Sequence, residues 1–134
     1  MDYGDIRKGI YNHLCTEIAT VSNRVFWSHT APADSTKPLL EFSFAGELPP
    51  ASGNPCGFFQ QVDVEVYGEE SNILDIDSVA DAVVSALHQV PITTPASRII
   101  YMRYVPSARF DDWNERLRAS MIRLKFVFAT DLWT

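Results

Sequence analysis

The period of apolar positions changes once in the middle of the chain, and that change organises the rest. From Phe58 to Tyr67, the residues Phe58, Val62, Val64 and Val66 share one parity, and Gln61, Asp63 and Glu65 share the other. A period of two is that of a strand with one buried and one wet face. Past Tyr67-Gly68 the apolar residues Ile73, Ile76, Val79, Ala80, Val83 and Leu87 recur three and four apart, which makes one stripe on a helix. A half-buried strand feeding an amphipathic helix predicts a two-layer α+β domain with the helix folded back on the sheet.

The flanking patterns agree with that architecture. Tyr3, Ile6, Ile10, Leu14, Ile18 and Val21 predict a helix over residues 3–21, with Asp2 and Asp5 at the favourable end of its dipole. Gly9 within it costs about 1 kcal/mol relative to alanine. A short β-prone piece, Arg24 to Trp27, precedes a polar loop, His29 to Pro38, and then a strand, Leu39 to Ala45. In that strand Leu40, Phe42 and Phe44 face one way and Glu41 and Ser43 the other. The segment Gly46 to Gly57, with three prolines and three glycines, predicts a protruding, mobile hairpin loop. Ser71 or Asn72 is placed to cap the helix that follows, and Pro91 ends it. A turn-rich stretch leads to a strand over Arg98 to Val105, and Pro106 to Asn114 reads as a second loop. The last strand, Glu115 to Ala129, buries Ile122, Leu124, Phe126 and Phe128. Leu117, Ala119 and Met121 lie on the opposite parity, which predicts a bulge near Ala119 to Met121. The expectation is therefore one α+β domain over residues 1–134 in the order α-β-β-β-α-β-β. Its sheet is mixed, mainly antiparallel and four- to five-stranded, with two helices on one face.

Composition narrows the class. The chain has 134 residues, 46% hydrophobic and 21% charged, as in an ordinary folded domain able to bury roughly two-thirds of its unfolded surface. Its apolar runs fall short of the roughly 20 residues that cross a bilayer. The opening acids, with no apolar core behind them, read as a cytosolic product rather than a secretory signal. In a reducing compartment Cys15 and Cys56 are expected as free thiols, with no zinc-ligand spacing around them. A net charge of −6 argues against tight nucleic-acid binding. The basic residues Arg98, Arg103, Arg109, Arg116, Arg118, Arg123 and Lys125 gather toward the C-terminal end, opposite a more acidic earlier part.

Candidate chemistry is sparse. His13 lies off its helix stripe and reads as a solvated side chain. His29 next to Ser28 is no dyad, since neighbouring side chains in extended backbone diverge. His88 suits a helix C-terminus. Asp75-Ile76-Asp77 lacks the glycine of a calcium loop and reads as helix capping. Asp63 and Glu65 are placed to oppose Arg123 and Lys125 if those strands are neighbours. Asp111-Asp112 beside Trp113 reads as a solvated turn. Phosphate-cradling, nucleophile-elbow and metalloprotease motifs are missing. No catalytic, cofactor-binding or metal site is expected, and the chain does not read as an enzyme.

Several segments, taken in order, resemble the tail-completion, or tail-terminator, proteins of long-tailed bacteriophages. These are an N-terminal helix, then Val25-Phe26-Trp27-Ser28-His29-Thr30-Ala31-Pro32, then Lys37-Pro38-Leu39-Leu40-Glu41-Phe42. After them come Gln61-Val62-Asp63-Val64-Glu65-Val66-Tyr67-Gly68 and the helix Ile76-Asp77-Ser78-Val79-Ala80-Asp81-Ala82-Val83-Val84-Ser85-Ala86-Leu87-His88. The strand-then-helix pair is the most specific of these, and an arginine-bearing strand pair at the C-terminus agrees in general form.

The resemblance implies a virion protein at the top of the tail, made in the host cytoplasm. It would form a ring, commonly of six subunits, that caps the tail tube, stops its polymerisation and joins it to the head connector. Its implied partners are itself, the tail-tube protein and the connector. Genomic DNA would pass through the lumen without specific binding, and no membrane or cofactor is involved. A ring built head to tail needs two unlike, complementary surfaces on each subunit. The candidate contacts are Asp63, Glu65, Arg103, Arg109, Arg116, Arg118, Arg123 and Lys125, with Glu47 and Leu48 in one loop and Phe110 and Trp113 in the other. A related neck or tube protein, and a small ligand-binding or enzymatic α+β domain, are the alternatives.

Overall fold

The alternating segment forms a strand that lies at the centre of a mixed sheet. The computed structural model describes residues 3–21, 24–47, 60–69 and 73–130. Helix α1 is Tyr3–Glu17. Strands β1 (Val25–Trp27), β2 (Leu39–Glu47) and β3 (Gln60–Gly68) follow, then helix α2 (Ile73–Leu87). Strands β4 (Ile92–Thr93) and β5 (Ile99–Tyr104), a 3-10 turn at Pro106–Ala108, and strands β6 (Phe110–Asn114) and β7 (Ala119–Thr130) complete the order. The class is α+β, as expected. Among the described residues the sheet has seven strands rather than four or five.

The spatial order is β1-β2-β3-β7-β5-β4, with β6 also on β7. All pairings are antiparallel except that β1 runs parallel to β2. Strand β7 makes this arrangement possible because it is 12 residues long. One edge pairs with β3 from Ser120 to Phe128, while the other is shared between β6 at Ala119 to Arg123 and β5 at Phe126 to Thr130. The two added strands are β4, only two residues long, and β6, which sits where a loop was expected. Phe110-Asp111-Asp112-Trp113-Asn114 has no alternation and is exposed along most of its length, so the extended state is imposed by pairing with β7 rather than by its own pattern. The predicted loop over 46–57 falls largely outside the described residues, as do Phe58, Cys56 and the cap candidates Ser71 and Asn72.

Both helices pack on one face. Ile6, Ile10 and Leu14 of α1 and Ile76, Val79, Ala80, Val83 and Leu87 of α2 share one buried cluster with Val62, Val64, Val66, Leu124, Phe126 and Phe128. The close approach of β3 to α2 depends on Gly68, where a Cβ would lie 2.2 Å from Ile76 Cγ1. Gly9 has a similar reason: a Cβ there would sit 2.9 Å from Thr94 Cγ2 and 3.2 Å from its Cα. The glycine lowers helix propensity but lets α1 lie against the turn between β4 and β5.

Two expectations are corrected. Helix α1 ends at Glu17, and Ile18 and Val21 reach the core from the turn beyond it. The β-branched run Thr16, Ile18, Thr20 and Val21 favours an early end, because such side chains lose rotamer freedom in a helix. The parity switch in the last strand is not a bulge: β7 stays in register with β3 throughout. Instead, the sheet is buried on both faces at this end. Leu117, Ala119 and Met121 join Leu39, Tyr67 and Ala31 in a second cluster on the face away from the helices. The register shift that does exist lies in β2, between Phe44 and Gly46.

Candidate interaction surface

The face of the sheet opposite the helices carries a row of residues that crosses five strands. Register places Phe26, Glu41, Glu65, Arg123 and Phe110 side by side on β1, β2, β3, β7 and β6. Glu41 and Glu65 are thus direct cross-strand neighbours of like charge, an arrangement that destabilises a sheet unless each charge is matched. Each has its own arginine. Arg123 Nη2 lies 3.2 Å from Glu65 Oε2, and its guanidinium also stands over the Phe110 ring at 5.6 Å. In the next row Lys125 Nζ pairs with Asp63 Oδ1 at 3.0 Å. The pairing of Asp63 and Glu65 with Lys125 and Arg123, expected from parity, is therefore present.

Glu41 is the buried member. Its carboxylate is fully enclosed and accepts two bonds from Arg116 Nη2, at 3.0 and 2.9 Å. It also accepts the Ala31 N–H at 3.0 Å, and Arg116 Nη1 donates to the Ala31 carbonyl. These contacts fasten the 28–38 loop and the 115–118 turn onto the sheet, closing the second apolar cluster. Beside them Tyr67 is fully buried, and its hydroxyl has no hydrogen-bond partner among the described residues. Burial, with the nearby Glu65 and Glu41 carboxylates adding to it, pushes the Tyr67 phenol well above its ordinary value.

The predicted contact residues therefore divide. Asp63, Glu65, Arg123 and Lys125 form ladders within the subunit, and Glu65 is 7% exposed; this corrects the expectation that the acidic parity of β3 is an open face. Arg116 is tied to Glu41. Arg109 joins the 3-10 turn to α2 through Asp77 at 3.1 Å and lies 3.7 Å from Asp111. Arg103 lies on the outward face of β5. Arg118 occupies the turn before β7 at φ 49°. Phe110 and Trp113 are 48% and 40% exposed. Glu47 ends β2, paired with Gln60, and Leu48 lies outside the described residues.

Sequence reasoning missed three features. Glu41 reads as one outward residue of a strand, and only the distant Arg116 and the Ala31 loop bury it. Asp5 does not simply face the helix dipole: it accepts hydrogen bonds from the Thr94 hydroxyl and the Ala96 N–H, with Arg98 3.7 Å away. The Thr94 hydroxyl bond, with help from Ala96, Arg98 and Lys8 and against the effect of burial, holds the Asp5 carboxyl below its usual value. The third feature is a groove of about 220 Å³ between α1 and β1, lined by Arg7, Lys8, Tyr11, Trp27 and Phe42. There the Arg7 guanidinium stands 3.9 Å from the centre of the Trp27 ring.

Two of the three histidines have structural partners. His13 is not solvated: its Nε2 lies 2.8 Å from the Ala86 carbonyl and ties α1 to the last turn of α2. His88 Nδ1 accepts the Tyr104 N–H at 3.0 Å, so it meets a strand amide instead of helix carbonyls. Two further grooves, near Lys37 and Asp75 and near Asp77 and Asp111, measure about 170 and 160 Å³. All three fall below the roughly 300–1,000 Å³ usual for small-molecule sites. Among the described residues no three His, Cys, Asp or Glu side chains converge as a metal site, and no helix is long and apolar enough to cross a membrane.

Compared with protein-family models and with curated proteins, the chain gives no match to either.

Proposed function

We propose that this chain is a structural virion protein of the tail-terminator kind, a subunit of a ring that caps a phage tail tube and joins it to the head connector. The observation that carries this reading is where the resembling segments lie. The Val25 to Pro32 segment forms β1 and the loop after it. Lys37-Pro38 immediately precedes β2, Gln61 to Gly68 lies in β3, and Ile76 to Leu87 lies on α2, with His88 just past its end. These are consecutive parts of one layered unit, and their buried residues join a core shared with α1, β5 and β7. Among the described residues β1 pairs only with β2 and β6 only with β7, which leaves two unlike strand edges, as a subunit that joins neighbours head to tail requires. The role is binding, carried by subunit contacts, with tube and connector proteins as the partners.

Sizing by light scattering and negative-stain imaging tests the reading. Closed rings are expected, at high concentration or with tail-tube protein present. A strict monomer that binds neither tube nor connector protein contradicts it.

A further inference from the structure

The open edges differ in charge as well as in place. Strand β6 pairs only with β7, so its outer backbone edge is open among the described residues. It presents Trp113, 40% exposed, and Asp111, whose side chain is 71% exposed. Asp111 and Trp113 oppose Ile122 and Ser120, so both stand on the helix side of the sheet. At the other end, β1 pairs only with β2 among the described residues, and Trp27 opposite Phe42 stands on that same side. Above Trp27 lie Arg7 and Lys8 of α1, lining the groove described above. The first edge therefore carries two carboxylates, Asp111 and the neighbouring Asp77, with Arg109 between them and Trp113 beside them; the other is basic and aromatic.

The strand directions are compatible as well. β1 runs parallel to β2, β2 and β7 are both antiparallel to β3, and β6 is antiparallel to β7. It follows that β6 and β1 run in opposite directions. A second copy set with its β1 beside the first copy's β6 continues the sheet in antiparallel sense and keeps the helix sides together. Asp111 and Trp113 of one copy then meet Arg7, Lys8 and Trp27 of the next. Opposite charge favours this alignment, and stacked aromatic anchors suit the buried centre of such a contact.

We propose that these two edges are the two halves of one head-to-tail contact between copies of this chain: the β6 edge of one docks in the α1–β1 groove of the next. The proposal rests on the ring reading and specifies the surfaces that build the ring. Because the contact is heterologous, it repeats with one operation and closes a ring if the rotation allows.

Sedimentation of the full chain with two exposed charge reversals, Asp111→Lys and Lys8→Glu, is the test. Each variant alone places like charges across the contact and weakens association by at least about tenfold, whereas an equimolar mixture of the two restores it, since each now supplies the other's missing complement. Asp111→Asn and Lys8→Gln shift association in the same direction by less, and circular dichroism checks that each of the four is folded at the temperature of the measurement. If the wild type associates and the reversals leave that unchanged, or if the mixture fails to restore association, the contact is wrong while the ring reading stands. In that case Asp111 is a charge that guards an open strand edge. If the wild type stays monomeric even beside tail-tube protein, the ring reading itself fails, and this contact with it.

Discussion

Arg116 and Glu41, 75 residues apart in sequence, meet in a two-pronged ion pair in which one guanidinium nitrogen lies 3.0 and 2.9 Å from the two carboxylate oxygens. Glu41 is fully buried, while the Arg116 side chain is 36% exposed. Removing the arginine strands a desolvated carboxylate. Arg116→Met is expected to lower unfolding free energy by about 3 kcal/mol, the lower end of the range for breaking a buried pair, because Arg116 itself keeps water contact. The double replacement Arg116→Met with Glu41→Leu should cost much less than the single one, since no charge is then left unmatched. Urea denaturation of the three proteins measures this; equal losses for single and double variants would show that the pair acts only through packing.

Tyr67 supplies the opposite case. Its hydroxyl is buried without a hydrogen-bond partner among the described residues, and an unmatched buried hydroxyl costs about 1–3 kcal/mol. Tyr67→Phe should therefore be neutral or raise stability by about 1 kcal/mol. The phenol pKa is raised in the folded state. Its contribution is complete below the unfolded-state value of about 10 and is lost as pH climbs from there toward the folded value. The wild type should thus lose stability above about pH 10 more steeply than Tyr67→Phe. A clear destabilisation by Tyr67→Phe would mean that the hydroxyl bonds to Glu41 or Glu65.

Asp5 governs the acid side. Its carboxyl is held below the unfolded-state value of 3.8, first by the Thr94 hydroxyl and then by the Ala96 N–H, Arg98 and Lys8, against the opposing effect of burial. A depressed folded pKa contributes stability that is present above the unfolded value and lost as pH falls through the folded one. Asp5→Asn should therefore be less stable at neutral pH, and its deficit should shrink below about pH 4. Unfolding free energies from pH 7 to pH 2 check this, and curves that run parallel throughout would count against it.

Gly9 stands against the turn that Asp5 holds. Gly9→Ala gains helix propensity worth up to about 1 kcal/mol, yet its new Cβ would meet Thr94 at 2.9 Å. Overpacking of this kind costs about 1–3 kcal/mol, so a net loss near 1 kcal/mol is expected. Thr94→Ser keeps the hydroxyl that bonds Asp5 and removes the clashing methyl, so it should recover part of that loss in thermal melts. Gln89 is the converse case. It ends α2 at φ 60° with its N–H donated to Met102, and Gln89→Gly should raise stability by about 0.5–1 kcal/mol by relieving the left-handed backbone.

Strand β3 and helix α2, and the Asp63–Lys125 and Glu65–Arg123 ladders, were legible in the sequence because alternation fixes faces and opposite charges mark neighbours. Strand β6 was not, because Phe110 to Asn114 carries no period of its own and is extended only by pairing with β7. Nor was the burial of Glu41. It depends on Arg116 and on the Ala31 loop, which no local pattern brings to it. The parity switch at Ala119 to Met121 was visible, but a bulge and a second buried face give the same pattern in one strand. The unbroken register with β3 and the packing of Leu39 and Tyr67 against it distinguish them. Gly9 and Thr94 form another such pair, with the glycine evident and its neighbour hidden.

The central claim is that this chain ends tube growth and joins tail to head. Electron microscopy of particles made by a phage lacking this gene tests it most directly. Overlong tail tubes beside unattached, DNA-filled heads are the predicted result; tails of normal length joined to heads would contradict it.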